Sequence, residues 1–536
     1  MRRDLAVLFA LALVTRFAAS LLVSYPPYTD PAYYQLVAER LASGHGFSVP
    51  VLWSFLEVGG HLPADPMLPV ASNGHWMPLT SIVSAGSIAL FGGALGPWRA
   101  AELPMIVIGS ALIPFTYLIA AQLGASRFNA WVAALLMLTA GPMLVLAPLP
   151  DAFAVFGAAG AAAIWLSMRA VTAPRPGPLL IAAGLAVGVA TLARVDGLLL
   201  AVAPATAWAT RRDWAGLPRL SWGVASVAAA LLVLGPWLAR DMVTFGSPFP
   251  SAGGHTLWIT SYNEQFSISH DPSLGDYLAW GPVNIIGSKV GAWVELVGRT
   301  AVLLGGIFIV PFAYGLWRDR RPELRPFRAY FLVMFIVMGA VFTFHAPKGA
   351  FYHSSLAWLP FAAALAAMNV APVATAAGRA WPFLRRAATH RFLSVAGLAG
   401  AVALSLTGSA VLIGQWSTTH ARLQVAADFV SATGGGDDVV MAYDPSAFHA
   451  LTGRPGVAPP FDLYPVIGNV VDAYGVRWVV VTLQQGETQD PLGLWDGAAA
   501  TNSAGNHPDF LPAEPSFSAP GVRVYEVIHA QGAGSG

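Results

Sequence analysis

The chain has 536 residues, 56% of them hydrophobic and only 11% charged, with a mean hydropathy of +0.59. A soluble domain cannot hide so much apolar surface, so the sequence reads as a polytopic membrane protein, with 18 Trp and 14 Tyr suited to membrane interfaces. The balance of 29 Lys and Arg against 28 Asp and Glu argues against a nucleic-acid partner, and the lack of cysteine excludes disulfides, thiolate metal sites, iron–sulfur clusters and Cys nucleophiles.

Met1-Arg2-Arg3 followed by an apolar stretch over 5–23 reads as an uncleaved first span with a cytoplasmic start; Arg16 interrupts it and no clean cleavage site follows. A polar segment runs over 25–77. In 78–95, Thr80, Ser84 and Ser87 recur at helical spacing opposite Ile82, Ala85 and Ala89, which predicts an amphipathic helix lying in the interface rather than a span. Later spans are expected near 100–123, 129–149, 152–170, 179–195, 197–210, 220–239, 300–317, 329–345, 350–370 and 392–414, about eleven with the first. The basic residues Arg127, Arg169, Arg175, Arg211, Arg212 and Arg219, with the clusters at 318–328 and 379–391, then all fall on the cytoplasmic side. The polar segments at 25–77 and 241–289, within loops taken as 25–99 and 241–299, become exoplasmic, as does the C-terminus.

After 414 the composition turns soluble. Strands are expected at 438–443, 477–483 and 522–528, and helices at 421–431, 445–451 and 462–474, with a turn or linker at 434–436 and a frayed end at 531–536. The expected architecture is a helical membrane domain over 1–414 followed by a small exoplasmic α/β domain over 415–536.

The richest candidate stretch is Tyr28-Thr29-Asp30-Pro31-Ala32-Tyr33-Tyr34, which ends in Gly44-His45-Gly46-Phe47. Asp30 is the first carboxylate beyond the first span. Its spacing favours the N-cap of a helix over 31–43 closed by Gly44, and a capping carboxylate there can still accept a proton. Asp151 opens the span at 152 on the same side, and again suits a cap. Two such carboxylates can act as base and acid or share a metal. Asp65, His61 and His75 lie in the same first loop. Arg16 inside a span is costly and so reads as functional or structurally paired, and Arg194 sits between two spans. Lys348, within Phe344-His345-Ala346-Pro347-Lys348-Gly349-Ala350-Phe351-Tyr352-His353, is a cation with flanking donors and suits a phosphate; Arg240-Asp241 is similar.

Taken together, these features resemble the C-type glycosyltransferases (GT-C), the superfamily of protein O-mannosyltransferases and the lipid A aminoarabinose transferase. The resemblance rests on Arg16 in the first span, Asp30-Pro31-x-Tyr33-Tyr34, Gly44-x-Gly46-Phe47, Trp76-Met77-Pro78-Leu79, Arg194-x-Asp196-Gly197, the segment from Arg240 to Pro248, and the Lys348 loop. It implies a polytopic GT-C-like fold of about 414 residues. It also implies inverting transfer of a sugar from a polyprenyl-phosphate donor to a glycan, lipid or protein acceptor at the outer face of the plasma membrane. Asp30 takes the role of base by resemblance, and Asp151 matches the acidic position of the next loop. Lys348, Arg194 and Arg240, with His353 and Tyr352, are candidates for the donor phosphate, and Arg16, Tyr33 and His75 for support. The sequence departs from the paired acids frequent in the family, since Pro31 follows Asp30, so a divalent metal held by Asp30 and Asp151 stays an open alternative to a reaction without cofactor.

Two other readings compete. A lipid or solute transporter would want charged or broken helices near the bilayer midplane and an internal repeat, and Arg16 is the main feature in its favour. A non-catalytic envelope-glycan assembly factor would tolerate loss of Asp30.

Overall fold

A computed structural model describes residues 1–211, 217–250, 256–483 and 507–528. Arg212 and the expected frayed end at 531–536 lie outside the described residues. The membrane part begins with α1 (Arg2–Ser20), followed by a long loop that carries α2 (Thr29–Ala42), β1 (Ser48–Val49), β2 (Val51–Leu52) and β3 (Val70–Ala71). The helices α3 (Leu79–Leu95), α4 (Pro97–Gln122), α5 (Arg127–Leu138), α6 (Met143–Leu146), α7 (Ala152–Thr172), α8 (Pro176–Ala193), α9 (Val202–Thr210) and α10 (Leu217–Phe245) follow. Next come α11 (Leu274–Ala279), α12 (Pro282–Leu303), α13 (Ile309–Arg318), α14 (Arg325–Ala340), α15 (Phe351–Ala377) and α16 (Ala387–Thr433).

Among the described helices, six are long and apolar enough to cross a membrane: α4, α7, α8, α10, α15 with the turn before it, and α16. Helix length alone therefore does not reproduce the expected count of about eleven. The expected span at 129–149 is two helices, broken around Gly141-Pro142. The span expected at 300–317 breaks at Gly305 and Gly306, whose φ values of 63° and 79° are left-handed and close to glycine-only. Its N-terminal half belongs to α12, which starts at Pro282 inside the segment read as loop. Val283, Ile286, Val290, Val294 and Val297 form the exposed apolar stripe of α12, a face that suits lipid.

The amphipathic pattern of 78–95 does form a helix, but its polar face turns inward. Thr80, Ser81, Ser84 and Ser87 are buried, while Ile82, Leu90, Phe91 and Leu95 are exposed. Ser81 Oγ donates to the Tyr34 carbonyl (3.0 Å) and Ser87 Oγ to the Ala100 carbonyl (2.6 Å). The hydroxyls thus tie α3 to α2 and α4, rather than facing water.

The expected domain boundary after 414 falls inside α16, a single helix of 47 residues that also absorbs the helix expected at 421–431. Beyond it stand β4 (Val439–Ala442), α17 (Pro445–Thr452), β5 (Gly456–Val457), α18 (Tyr464–Ala473), β6 (Val476–Thr482), β7 (Phe517–Ala519) and β8 (Val522–Glu526). The sheet order is β2-β5-β4-β6-β8-β7, so its first strand comes from the loop after α1. Val51 and Leu52 pair in parallel with Gly456 and Val457, β4 runs parallel to β5 and β6, and β8 runs antiparallel to β6 and β7.

Side chains alternate across this sheet with the period of two that strands impose. Met441, Val479 and Tyr525 face α18 and Phe55, whereas Val440, Trp478, Val480 and Val524 face α16 and α17. Ala32 of α2 lies in the second of these cores. The C-terminal segment, here called the tail, is therefore built jointly with the first loop.

That loop has its own buried acid. Glu57 is fully buried; Tyr33 donates its hydroxyl proton to Glu57 Oε1 and accepts the Asn73 N–H at 2.7 Å. Burial pushes the Glu57 carboxyl up from 4.5 to about 8, against the pull of its Tyr33 hydrogen bond. An acid raised in the folded state binds more protons there than in the unfolded chain, so stability falls as pH rises between 4.5 and about 8. In Glu57→Gln an amide stands in for the protonated carboxyl. Its melting temperature is expected to change less than that of the parent across this window in thermal scans; parallel pH curves for the two proteins would contradict the assignment.

Candidate active site

Three chain segments converge at one end of the bundle. They are the first turn of α2, the N-terminus of α7, and the turn that leads into α15. Asp30 is the second residue of α2, and the cap position is Tyr28, whose side chain makes no capping bond. Asp30 is thus not the N-cap its position before proline suggested. Among the described residues its carboxyl accepts no backbone hydrogen bond, and it fronts a cavity. Asp151 does cap, accepting the Ala152 N–H at the head of α7.

His353, in the first turn of α15, stands between the two acids. Its Nε2 lies 3.1 and 3.2 Å from the Asp151 oxygens and 3.7 Å from Asp30 Oδ2. Its ring stacks on Phe153, with centroids 4.0 Å apart and planes 13° apart. On the other side, Nδ1–H donates to the Gly349 carbonyl at 3.1 Å. Gly349 has a φ of 156°, which residues with side chains rarely adopt, and this directs its carbonyl at the ring. With Nδ1 carrying that proton, Nε2 points at two carboxylates. The contact is attractive when Nε2 carries a second proton, when one of the two carboxyls keeps its own proton and donates it to Nε2, or when a metal ion is bound.

The two acids are not equivalent. The Asp151 side chain is 0% exposed, while that of Asp30 is 24% exposed. Burial opposes charge on Asp151, but His353, the Tyr28 hydroxyl (2.7 Å) and the Ala152 N–H together hold it below the usual carboxylate range. Burial and then the Asp151 charge push Asp30 up, against His353 and Arg194. Asp30 is the member that both faces the cavity and holds a proton more readily.

One ligand atom from each of Asp30, Asp151 and His353 lies within 4.8 Å of the others, the only such group of metal-ligating side chains among the described residues. Two carboxylates and an imidazole free at Nε2 are a donor set that fits a divalent ion.

The cavity in front of Asp30 has a volume of about 920 Å³. Its wall includes Arg194, Lys348, His75 and His345 from the bundle and first loop, and Tyr443, Asp444 and Phe461 from the tail. Arg194 pairs with Asp196 (2.9 Å), which in turn accepts the Ser354 hydroxyl. Lys348 Nζ sits 5.4 Å from the Tyr262 ring centre. His75 packs against Trp53 and Trp76 (5.2 and 5.7 Å), and burial pushes its imidazole down to about 3, so it is neutral near pH 7.

Other sequence candidates lie elsewhere. Arg240 does not line the cavity: it pairs with Asp241 (2.9 Å), donates to the Ser72 carbonyl (2.8 Å) and lies over Trp237 (4.6 Å), fastening α10 to the first loop. Tyr352 lies under Arg299 (4.5 Å), away from the cavity, and Tyr33 is committed to Glu57 and Asn73. Arg16 is fully buried with no hydrogen-bond partner among the described residues; a Cβ at Gly109 would come within 2.3 Å of its Nη1. His61 and Asp65 are exposed, and His61 lies 3.9 Å from Asp271.

Sequence reasoning grouped His353 with the phosphate ligands and missed Tyr28, Glu57 and Asp444. For Tyr28 and Asp444 no local signal exists, because their partners lie 123 and 415 residues away. The π-type turn before His353, ending in Gly349-Ala350, was the available hint that its ring is held in a fixed place.

No protein-family model and no curated protein matches the chain. Solved structures do. The chain is similar to ArnT from Cupriavidus metallidurans bound to undecaprenyl phosphate, at 15% identity and a TM-score of 0.57 over 97% of each chain. It is also similar to the Archaeoglobus fulgidus oligosaccharyltransferase in complex with zinc and sulfate, at 14% identity and a TM-score of 0.56 over 97% of this chain and 73% of that one. A third match is the archaeal oligosaccharyltransferase AglB of the same organism, in complex with an inhibitory peptide and a dolichol phosphate, at 14% identity and a TM-score of 0.54 over 90% and 69%. At these identities the likeness is one of architecture, and by it this multi-pass membrane protein has the fold of the C-type glycosyltransferases.

Proposed function

We propose that the protein is a membrane glycosyltransferase that moves a sugar from a polyprenyl-phosphate donor to an acceptor at the outer face of the membrane. The observation that carries this reading is Asp30 facing a cavity of about 920 Å³ whose wall also holds Arg194 and Lys348. A base and two cations around one half-enclosed space are what the chemistry needs, because a sugar phosphate is already activated. The fold, shared with proteins solved with undecaprenyl phosphate and dolichol phosphate, supports the same donor class here.

In this reading Asp30 takes the proton of the acceptor's nucleophile as that atom bonds to the anomeric carbon. The bond from that carbon to the phosphate oxygen breaks, and the polyprenyl phosphate leaves with the electron pair and its negative charge. Arg194 and Lys348 stabilise the departing phosphate. Asp151 and His353 hold the charge balance behind Asp30, and Tyr28 fixes Asp151 by donating to its Oδ2. A divalent ion, if bound, would be held by Asp30, Asp151 and His353 and would act as a Lewis acid at the phosphate. The apolar lining, including Leu198, Leu199, Met338 and Leu412, suits the first isoprene units of the donor.

The N-terminus is cytoplasmic in this scheme, and the first loop, the segment at 241–289 and the tail are exoplasmic. The chain has no cysteine, so single cysteines at Ala125 and Ser273 report sidedness directly. Only the Ser273 site is expected to react with an impermeant thiol reagent in intact cells; labelling of the Ala125 site from outside would invert the scheme.

Asp30→Asn removes the proton acceptor and leaves the shape of the side chain. Because Asp30 is not a helix cap, the melting temperature is expected to stay unchanged while kcat falls by roughly two to four orders of magnitude, the usual worth of a general base. Lys348→Ala is expected to raise KM for the lipid donor more than it lowers kcat. Near-normal turnover in Asp30→Asn, measured as release of polyprenyl phosphate, would overturn the assignment of the base.

A further inference from the structure

The first turn of α2 has no side-chain cap to fix it, yet it carries Asp30. It is held instead by the two residues before Asp30, each bonded to a different part of the protein. Tyr28 donates to Asp151 on the bundle side at 2.7 Å. Thr29 Oγ1 donates to Asp444 Oδ2 on the tail side at 2.9 Å. Asp444 is 7% exposed, and its other oxygen accepts the Ala447 N–H at 3.0 Å, so the carboxylate is itself fixed as the cap of α17. Packing runs in the same direction, since Ala32 of α2 shares a core with Ala447 and Phe448 of α17. The pairing of β2 with β5 joins the first loop to the tail a second time.

We propose that Asp444 is a positioning residue for the transfer reaction: through Thr29 it sets where the Asp30 carboxyl stands in the cavity. The tail is then part of the active-site framework, and an otherwise intact bundle would hold Asp30 loosely. This inference rests on the role proposed for Asp30. A displacement of a catalytic group by about 1 Å costs on the order of 100-fold in rate, so loss of one of two tethers has a measurable effect while the Asp30 carboxyl itself is kept.

Three full-length variants test it. Thr29→Val keeps the β-branched shape and removes the hydroxyl, Thr29→Ser keeps the hydroxyl, and Asp444→Ala removes the acceptor. The expected result is a fall in kcat of about ten- to hundredfold for Thr29→Val and Asp444→Ala, with KM for the lipid donor little changed, and recovery of most of the loss in Thr29→Ser. The double variant Thr29→Val/Asp444→Ala is expected to be no worse than the weaker single, because both changes break one bond. A purely structural role would lower the melting temperature of each variant in step with its activity, and Thr29→Val guards against misfolding of α17 in Asp444→Ala.

A second readout does not depend on turnover. In the cysteine-free chain, Asp30→Cys reports the position of residue 30 by its rate of reaction with a small methanethiosulfonate reagent, and that rate is expected to change severalfold when Thr29→Val is added. Wild-type kcat in Thr29→Val, beside an inactive Asp30→Asn, would overturn the positioning role and leave the base assignment standing. An active Asp30→Asn would end the base assignment. The labelling rate then decides alone: a change on adding Thr29→Val supports the tether, and an unchanged rate overturns it.

Discussion

The structure turns on the meeting of two carboxylates and one imidazole in a half-enclosed space. Like charges at this distance repel strongly where water is scarce, and a lone buried carboxylate is costlier still. Asp151 is tolerable only because Tyr28, the Ala152 N–H and His353 surround it. That satisfaction requires α2, α7 and α15 to bring their N-terminal ends together, so the helix arrangement and the electrostatics of the site are one constraint. It also divides the labour: the acid with no exposure stays charged, and the one that meets the cavity is free to exchange a proton.

Much of this was legible in the sequence, for identifiable reasons. Asp30 and Asp151 stand out because each is an acid placed where a span meets the outer surface, on the side where a lipid-linked head group would lie, and Lys348 because it breaks the distribution of basic residues. The three main tail strands are readable from their period-two alternation. Arg240 was legible as unusual but not as structural, because its first-loop partners, the Phe47 ring and the Ser72 carbonyl, lie far from it in the chain. The inward-turned hydroxyls of α3 show the same ambiguity. Helical spacing locates a polar face but does not say whether protein or water will meet it.

What the sequence does not carry is long-range pairing. β2 is two residues long, too short for any alternation signal, yet it forms the first strand of a sheet whose other strands begin more than 380 residues later. The tail reads as a separate domain because its composition changes after 414, and composition is silent about a strand lent from elsewhere. The continuity of α16 has the same cause, because its apolar lower half and mixed upper half look like two elements until one backbone joins them. The consequence is functional as well as architectural. Helix α2, which carries Asp30, is gripped between bundle and tail, and the cavity is walled by both.

The central claim is that this cavity transfers a sugar and does not merely pass a lipid. The most direct measurement places the purified protein, as the sole protein, in liposomes with radiolabelled polyprenyl-phosphate sugars and candidate acceptors, and follows the lipid product. The account predicts free polyprenyl phosphate in step with loss of the sugar-bearing lipid, with the label recovered on the acceptor or, more slowly, in water. Movement of intact sugar-bearing lipid between leaflets, with no polyprenyl phosphate released, would contradict it.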